Sequence, residues 1–241
     1  MKRKSVLTII AILILIVGVT VALYPHILRW KYEKETKSRT EDFVQEVRSQ
    51  NKSQGQEGDK TASWVDLDGL YQEMVNYNQT LYREGQSSLV DAWSYQQESF
   101  DLSKWGVKEP SIGYIDLPTM EVRLPIYLGA TRKNMELGAT HLSQTSMPIG
   151  GKNTNSVIAA HRGYYGAKMF QDIDWLKEGD KVYITNFWET LTYEVTGISI
   201  VEPSQTEDIF IQAGRDMLTL VTCHPSGVNS HRYLVYCDRV E

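Results

Sequence analysis

Met217-Leu218-Thr219-Leu220-Val221-Thr222-Cys223-His224-Pro225-Ser226-Gly227 is a β-prone apolar run cut off by turn-forming residues, and its reading decides the fold. Nine residues after Cys223, Arg232 opens a second run of the same texture, 232–240, so the two read as antiparallel strands joined by the intervening turn. Moving toward the N-terminus, similar short runs bounded by Gly and Pro occupy 112–118, 122–127, 157–160, 181–185 and 191–201. Seven or so short strands, mostly without helical crossovers between them, imply a mostly β domain: an antiparallel sheet closed into a barrel.

Upstream of the strands the periodicity changes. Trp64, Leu67, Leu70, Tyr71, Met74, Tyr77 and Leu81 recur at spacings of three and four, which gives a helix one apolar face that must pack on something. Ser63 stands before this pattern with Asp66 three residues on, a variant of the capping box, and Gly85 ends it. Residues 89–105 form a less regular segment carrying Trp93, Tyr95, Phe100 and Leu102. Residues 50–61 have neither periodicity nor apolar anchors and read as a flexible linker. The preceding piece, 31–49, is highly charged, with Phe43 and Val47 four apart on one helical stripe.

The first segment sets the compartment. After Lys2, Arg3 and Lys4, the eighteen residues from Val6 to Leu23 carry no charge, and at about 1.5 Å per residue they just span the hydrocarbon of a bilayer. A cleaved signal peptide shares the charged start, and Thr20-Val21-Ala22 would serve as its small-residue site. The length of the run and the flanking Tyr24 and Trp30 favour a retained single-pass anchor in contact with membrane lipid. Its N-terminus would lie in the cytoplasm and the rest of the chain outside.

The net charge is −5, and without the three N-terminal basic residues the remainder holds 22 basic against 30 acidic groups. No basic run outside the N-terminus could offset phosphate charge, so nucleic-acid binding is not expected. There is no His, Cys and carboxylate cluster with metal-site spacing and no Gly-rich phosphate loop, so neither a metal nor an organic cofactor is expected.

Cys223 and Cys237 are the only cysteines. A disulfide between them on adjacent strands is one reading. The other makes Cys223 a nucleophile, since it sits where a strand gives way to a turn, and a thiol attacks carbonyls once a nearby base or cation favours its thiolate. His161 also closes a strand, in Val157-Ile158-Ala159-Ala160-His161; His224 and His231 compete with it as the base. His224 adjoins Cys223 and so points to the opposite face of extended backbone. Arg232, on the next strand, could aim a fixed guanidinium at a developing oxyanion. Regular alternation would place Arg232, Leu234 and Tyr236 on one face and Tyr233, Val235 and Cys237 on the other, leaving Cys223 free; a bulge would reverse that parity.

These residues together resemble the sortase family. Thr219-Leu220-Val221-Thr222-Cys223 matches its cysteine signature, Ala160-His161-Arg162-Gly163 its histidine motif, and Asn229-Ser230-His231-Arg232-Tyr233-Leu234-Val235 its final catalytic strand. The resemblance implies a sortase-type barrel with Cys223, His161 and Arg232 catalytic, and it is strongest toward class C, the pilin polymerases. It further implies a helical extension and a lid, for which Asp91-Ala92-Trp93 is the best match, Asp91 pairing with Arg232 and Trp93 covering Cys223. Ala92 departs from the usual proline. The organisation expected is a tail and anchor over 1–30, a charged stalk and linker over 31–62, a helical extension with the lid over 63–106, and the catalytic barrel over 107–241.

The implied reaction cleaves a Leu-Pro-x-Thr-Gly-type sorting signal of a pilin or surface protein between Thr and Gly, through a thioacyl enzyme. The acyl group then passes to a lysine amine of another pilin subunit. The alternative acceptor is a peptidoglycan amine, which would attach surface proteins to the cell wall.

Overall fold

The computed structural model describes residues 2–53, 65–86, 89, 97–99, 101–107 and 111–240. Asp91, Trp93 and Ser63 lie outside the described residues. One long helix, α1 (Lys2–Ser53), carries the apolar segment. None of that segment is buried against protein, so the apolar helix has only lipid to cover it. It is a single-pass membrane anchor, and the barrel that follows it is extracellular.

The charged continuation of α1 stays helical and packs on the barrel. Thr36, Thr40 and Phe43 are buried, and Phe43 meets the rings of Tyr114 and Phe187 at centroid distances of 6.3 and 5.1 Å. Spacings of three and four put these residues on one face, while Glu33, Lys37 and Glu41 stay on the outer flank. The second helix, α2 (Leu67–Glu84), begins one turn later than Ser63 would have it. Asp66 is its N-cap, accepting from the Gly69 amide at 2.8 Å, and Gly85 is its C-cap. Its buried side chains are Leu67, Leu70, Met74, Asn78 and Leu81. Asn78 exchanges hydrogen bonds with the backbone of Met147, which ties α2 to the barrel.

Among the described residues eight strands follow: β1 (Ser111–Leu117), β2 (Val122–Leu128), β3 (Ala139–His141), β4 (Thr154–Ala159), β5 (Lys181–Thr185), β6 (Thr190–Val201), β7 (Asp216–His224) and β8 (His231–Arg239). They close in the order β1-β2-β3-β4-β7-β8-β6-β5. The sheet is mixed, which corrects the antiparallel expectation: β2 pairs with β3, and β4 with β7, in parallel. Parallel neighbours need a crossover. For the first pair it is the short helix α3 (Arg132–Leu137); for the second it is the whole excursion through β5 and β6.

Two apolar clusters mark the two faces of the β7 and β8 sheet. Leu218, Leu220, Tyr233, Val235 and Cys237 point into the main core with Ile115, Ile126, Ile158 and Val182. Val221 and Leu234 point the other way, joining Leu89, Leu142, Val157, Ala159, Val201 and Ile209. The β7–β8 register runs without interruption from Met217 opposite Asp238 to His224 opposite His231. A bulge does occur, but on β6 between Val195 and Gly197, so the alternation along β8 is regular.

Candidate active site

Cys223, His161 and Arg232 meet at one end of the barrel because of strand register. Cys223 stands opposite Arg232 across the antiparallel β7–β8 ladder. On its other side β7 pairs with β4 in parallel, Ala159 beside Val221. The pairing continues past the strand: the Ala160 amide donates to the Val221 carbonyl at 3.2 Å, and the Thr222 hydroxyl donates to the Ala160 carbonyl at 2.8 Å. His161 lies two residues beyond Ala159, and Cys223 two beyond Val221. With strands about 4.8 Å apart and side chains alternating, both emerge side by side on the same face.

All three side chains are half-buried. Burial pushes the His161 imidazole below its ordinary value, and the carboxylate of Glu136 on α3 opposes that shift. His161 is therefore neutral near pH 7 and able to accept a proton. Its ring stacks on Tyr164 at 4.8 Å with 12° between the planes, which fixes its orientation. Arg232 donates from Nη1 to the carbonyls of Asn229 and His231, both at 3.0 Å, so the turn before β8 holds the guanidinium. Cys223 and Cys237 are both free thiols, which excludes the disulfide reading. Cys237 is fully buried in the core, and burial pushes its thiol far above the ordinary value.

Arg162 is the residue whose part at this end the sequence reading passed over. Its Nη1 donates to His224 Nδ1 at 2.7 Å, its Nη2 pairs with Asp174 at 3.2 Å, and its guanidinium lies 5.4 Å from the centre of the Tyr233 ring. The residue after His161 is thereby tied to the residue after Cys223. Burial and the adjacent Arg162 and His231 charges lower the His224 imidazole, which leaves it neutral as an acceptor for Arg162. His224 and Tyr233 adjoin on the opposite face from Cys223. Glu136 was likewise not singled out; neither it nor Asp174 carries a local sequence signal, since only the fold brings them near. A groove of about 440 Å³ lies elsewhere, between α1 and the barrel, lined by residues such as Tyr32, Thr36, Lys37, Arg123 and Lys168.

Comparison with known proteins agrees with this geometry. Residues 115–240, more than half of the chain, match the sortase domain family. Sortase A of Bacillus anthracis is 32% identical over 161 residues, covering 66% of this chain and 75% of that protein. The crystal structure of sortase C-1 from Streptococcus pneumoniae superposes with a TM-score of 0.68 at 32% identity, covering 85% of this chain and 98% of that one. A pilus-related sortase C of Group B Streptococcus is 34% identical with a TM-score of 0.60, covering 70% and 91%. Fold and site end together define a cysteine transpeptidase working by acyl transfer. The chain belongs to the sortase family, and its structural relatives place it in class C.

Proposed function

We propose that this enzyme cleaves a Leu-Pro-x-Thr-Gly-type sorting signal between Thr and Gly and joins the Thr carbonyl to a lysine amine of a pilin subunit. The observation that carries the reading is the register that sets Cys223 beside His161 and opposite Arg232. The pilus association of a structural relative supports a pilin as substrate. Neutral His161 takes the Cys223 proton, and the thiolate attacks the Thr carbonyl while Arg232 donates to the oxyanion. His161 returns the proton to the departing glycine amine, leaving a thioester on Cys223. The lysine amine then loses a proton to His161 and attacks the thioester; the isopeptide bond forms and the thiol is regenerated.

A lid over Asp91 and Trp93 belongs to the same reading, and the described residues flanking it support the assignment. Leu89 belongs to the apolar cluster that also holds Val221 and Leu234, the residues two before Cys223 on β7 and two after Arg232 on β8. On the far side, Gln97 accepts a hydrogen bond from Ser143. A Cβ on Gly129 would come within 2.8 Å of the Glu98 amide nitrogen, so the chain crosses the end of β2 in close contact.

The test incubates the full chain in detergent micelles with a Leu-Pro-x-Thr-Gly peptide and a lysine-bearing pilin domain, and follows product masses. Cys223-dependent release of the glycine-side fragment together with an isopeptide adduct is the expected result. Release without an adduct would transfer the proposal to a peptidoglycan amine as acceptor. Absence of both, persisting in Asp91→Ala and Trp93→Ala variants, would overturn the substrate assignment.

A further inference from the structure

The excursion between β4 and β5 carries a turn whose exposed tip, Tyr165, is required by neither the core nor the proposed acyl-transfer chemistry. Tyr164 and Ala167 exchange backbone hydrogen bonds at 3.0 and 2.8 Å, closing a two-residue turn over Tyr165 and Gly166. Both central residues have positive φ, 43° and 87°, a conformation that Asn-Gly adopts readily and tyrosine does not. Tyr165 is 80% exposed. A bulky ring is thus held out from the barrel at a position where a small polar residue would fit the backbone better.

The place where this turn touches the rest of the protein identifies its surroundings. Gly166 lies against α1: a Cβ there would stand 3.4 Å from the Arg29 nitrogen and 3.4 Å from the Pro25 carbonyl oxygen. The aliphatic run that begins at Val6 ends at Leu23, where Tyr24, Pro25 and His26 follow, and the first charge beyond it is Arg29. At a rise of about 1.5 Å per residue, Pro25 and Arg29 stand about 3 and 9 Å beyond the hydrocarbon edge, which is the headgroup layer, and tilt of the helix only lowers them. Tyr24 and Trp30 on the same stretch of α1 are exposed, as interfacial aromatics are.

The orientation of the barrel follows from a second contact. α1 meets Tyr114 and Phe187 through Phe43, fourteen residues or about 21 Å farther from the bilayer than Arg29. Asn186, next to Phe187, bonds the Pro148 carbonyl, so the end of the barrel where β4 begins points away from the membrane. The end where β4 finishes, at His161, points toward it.

We infer that the Tyr164–Ala167 turn docks on the headgroup layer of the bilayer that α1 spans, with Tyr165 seated in the interface. His161 stacks on Tyr164, which contacts Tyr165 edge-on at 4.6 Å. The membrane surface therefore supports the turn that orients the histidine, and the acyl-transfer end of the barrel works close to lipid; this last consequence rests on the function proposed above, whereas the docking itself does not.

The test uses the full chain with Cys223→Ala, which leaves buried Cys237 as the only native thiol, and so it is independent of activity. Tyr165→Cys, or Lys152→Cys in the exposed loop at the far end of β4, is labelled with a thiol-reactive fluorophore. Each protein is placed in vesicles of phosphatidylcholine and phosphatidylglycerol containing a headgroup nitroxide lipid. The label at 165 is expected to lose most of its emission to the nitroxide and to be shielded from aqueous iodide, while the label at 152 shows the reverse. Equal iodide access at both positions with no nitroxide quenching at 165 would overturn the docking. Matching thermal unfolding of the two labelled proteins establishes that both are folded.

Discussion

Arg232 stands directly across the β7–β8 ladder from Cys223, with its Nη1 held by the carbonyls of Asn229 and His231. A group anchored this way meets a developing oxyanion without reorganising. Arg232→Ala is expected to lower kcat by about 10²–10³-fold, the typical cost of removing one oxyanion donor. Arg232→Lys keeps the charge but loses the planar fork, and should recover little of that loss. Steady-state rates on a sorting-signal peptide check both, with unchanged thermal unfolding showing that the barrel is intact.

Arg162 is predicted to act as a positioning residue. It clamps the backbone after His161 to His224, which follows Cys223. Its loss should let the two strand ends drift, and a misplacement of about 1 Å can cost on the order of 10²-fold. The measurement is kcat against KM for Arg162→Gln: a fall confined to kcat supports positioning, whereas equal rates to wild type would refute it. Arg162→Lys should restore part of the rate.

The acid side of the rate profile is expected to follow His161. Its neutral form must be present to take the Cys223 proton, and burial holds its titration below 6.5. Acylation should therefore rise with pH through a point below 6.5 and be level at neutrality. Glu136 opposes the burial effect, so Glu136→Gln should move the acid limb to lower pH. A limb that moved upward would contradict this assignment.

A different histidine should govern acid stability. His141 is fully buried; its Nε2 donates to the Ser146 carbonyl at 2.9 Å, and its Nδ1 has no partner among the described residues. Burial lowers its titration from 6.5 to about 4. The unfolded chain takes up the proton first, so stability is complete above pH 6.5 and declines as pH falls toward 4. The loss attributable to His141 is about 3 kcal/mol. Denaturant unfolding of the full chain in micelles between pH 7 and 4 reads this slope, and His141→Gln should flatten it whatever its effect at pH 7.

The two thiols should be chemically unequal. Cys223 is half-exposed and Cys237 fully buried with its titration raised. A thiol reagent is expected to modify one group in the native protein and two after denaturation, with the native modification abolished in Cys223→Ala. Two unreactive sulfurs after denaturation without reductant would point to a disulfide and sink the picture of β7 and β8 given above.

The strands were legible where they are long enough to alternate. The runs at 181–185, 191–201 and 217–223 match β5, β6 and β7 within a residue or so. β3 was not, because three residues carry no period, and α3 is too short for a helical repeat. Parallel pairing of β4 with β7 could not be read at all, since register between strands some sixty residues apart is decided by closure of the barrel. That pairing sets His161 beside Cys223, so motif resemblance alone, and no local pattern, suggested they would meet. The alternation of β8 was readable and correctly kept Cys237 away from Cys223. The abundance of charge over 31–49 concealed how α1 packs, although the Phe43 and Val47 stripe was visible.

Phe43 sits on the helix that leaves the membrane, yet its ring is part of the barrel's main apolar cluster. Burying such a side chain is worth about 1.5–3 kcal/mol, so the barrel cannot complete its core until the anchor helix has emerged and lain down against it. Release of the extracellular part by cutting the chain between Phe43 and the barrel would therefore strip a core residue away and expose Tyr114 and Phe187 to water. Shedding at that point would yield a weakened fragment, whereas a cut nearer the bilayer would set free an intact fold.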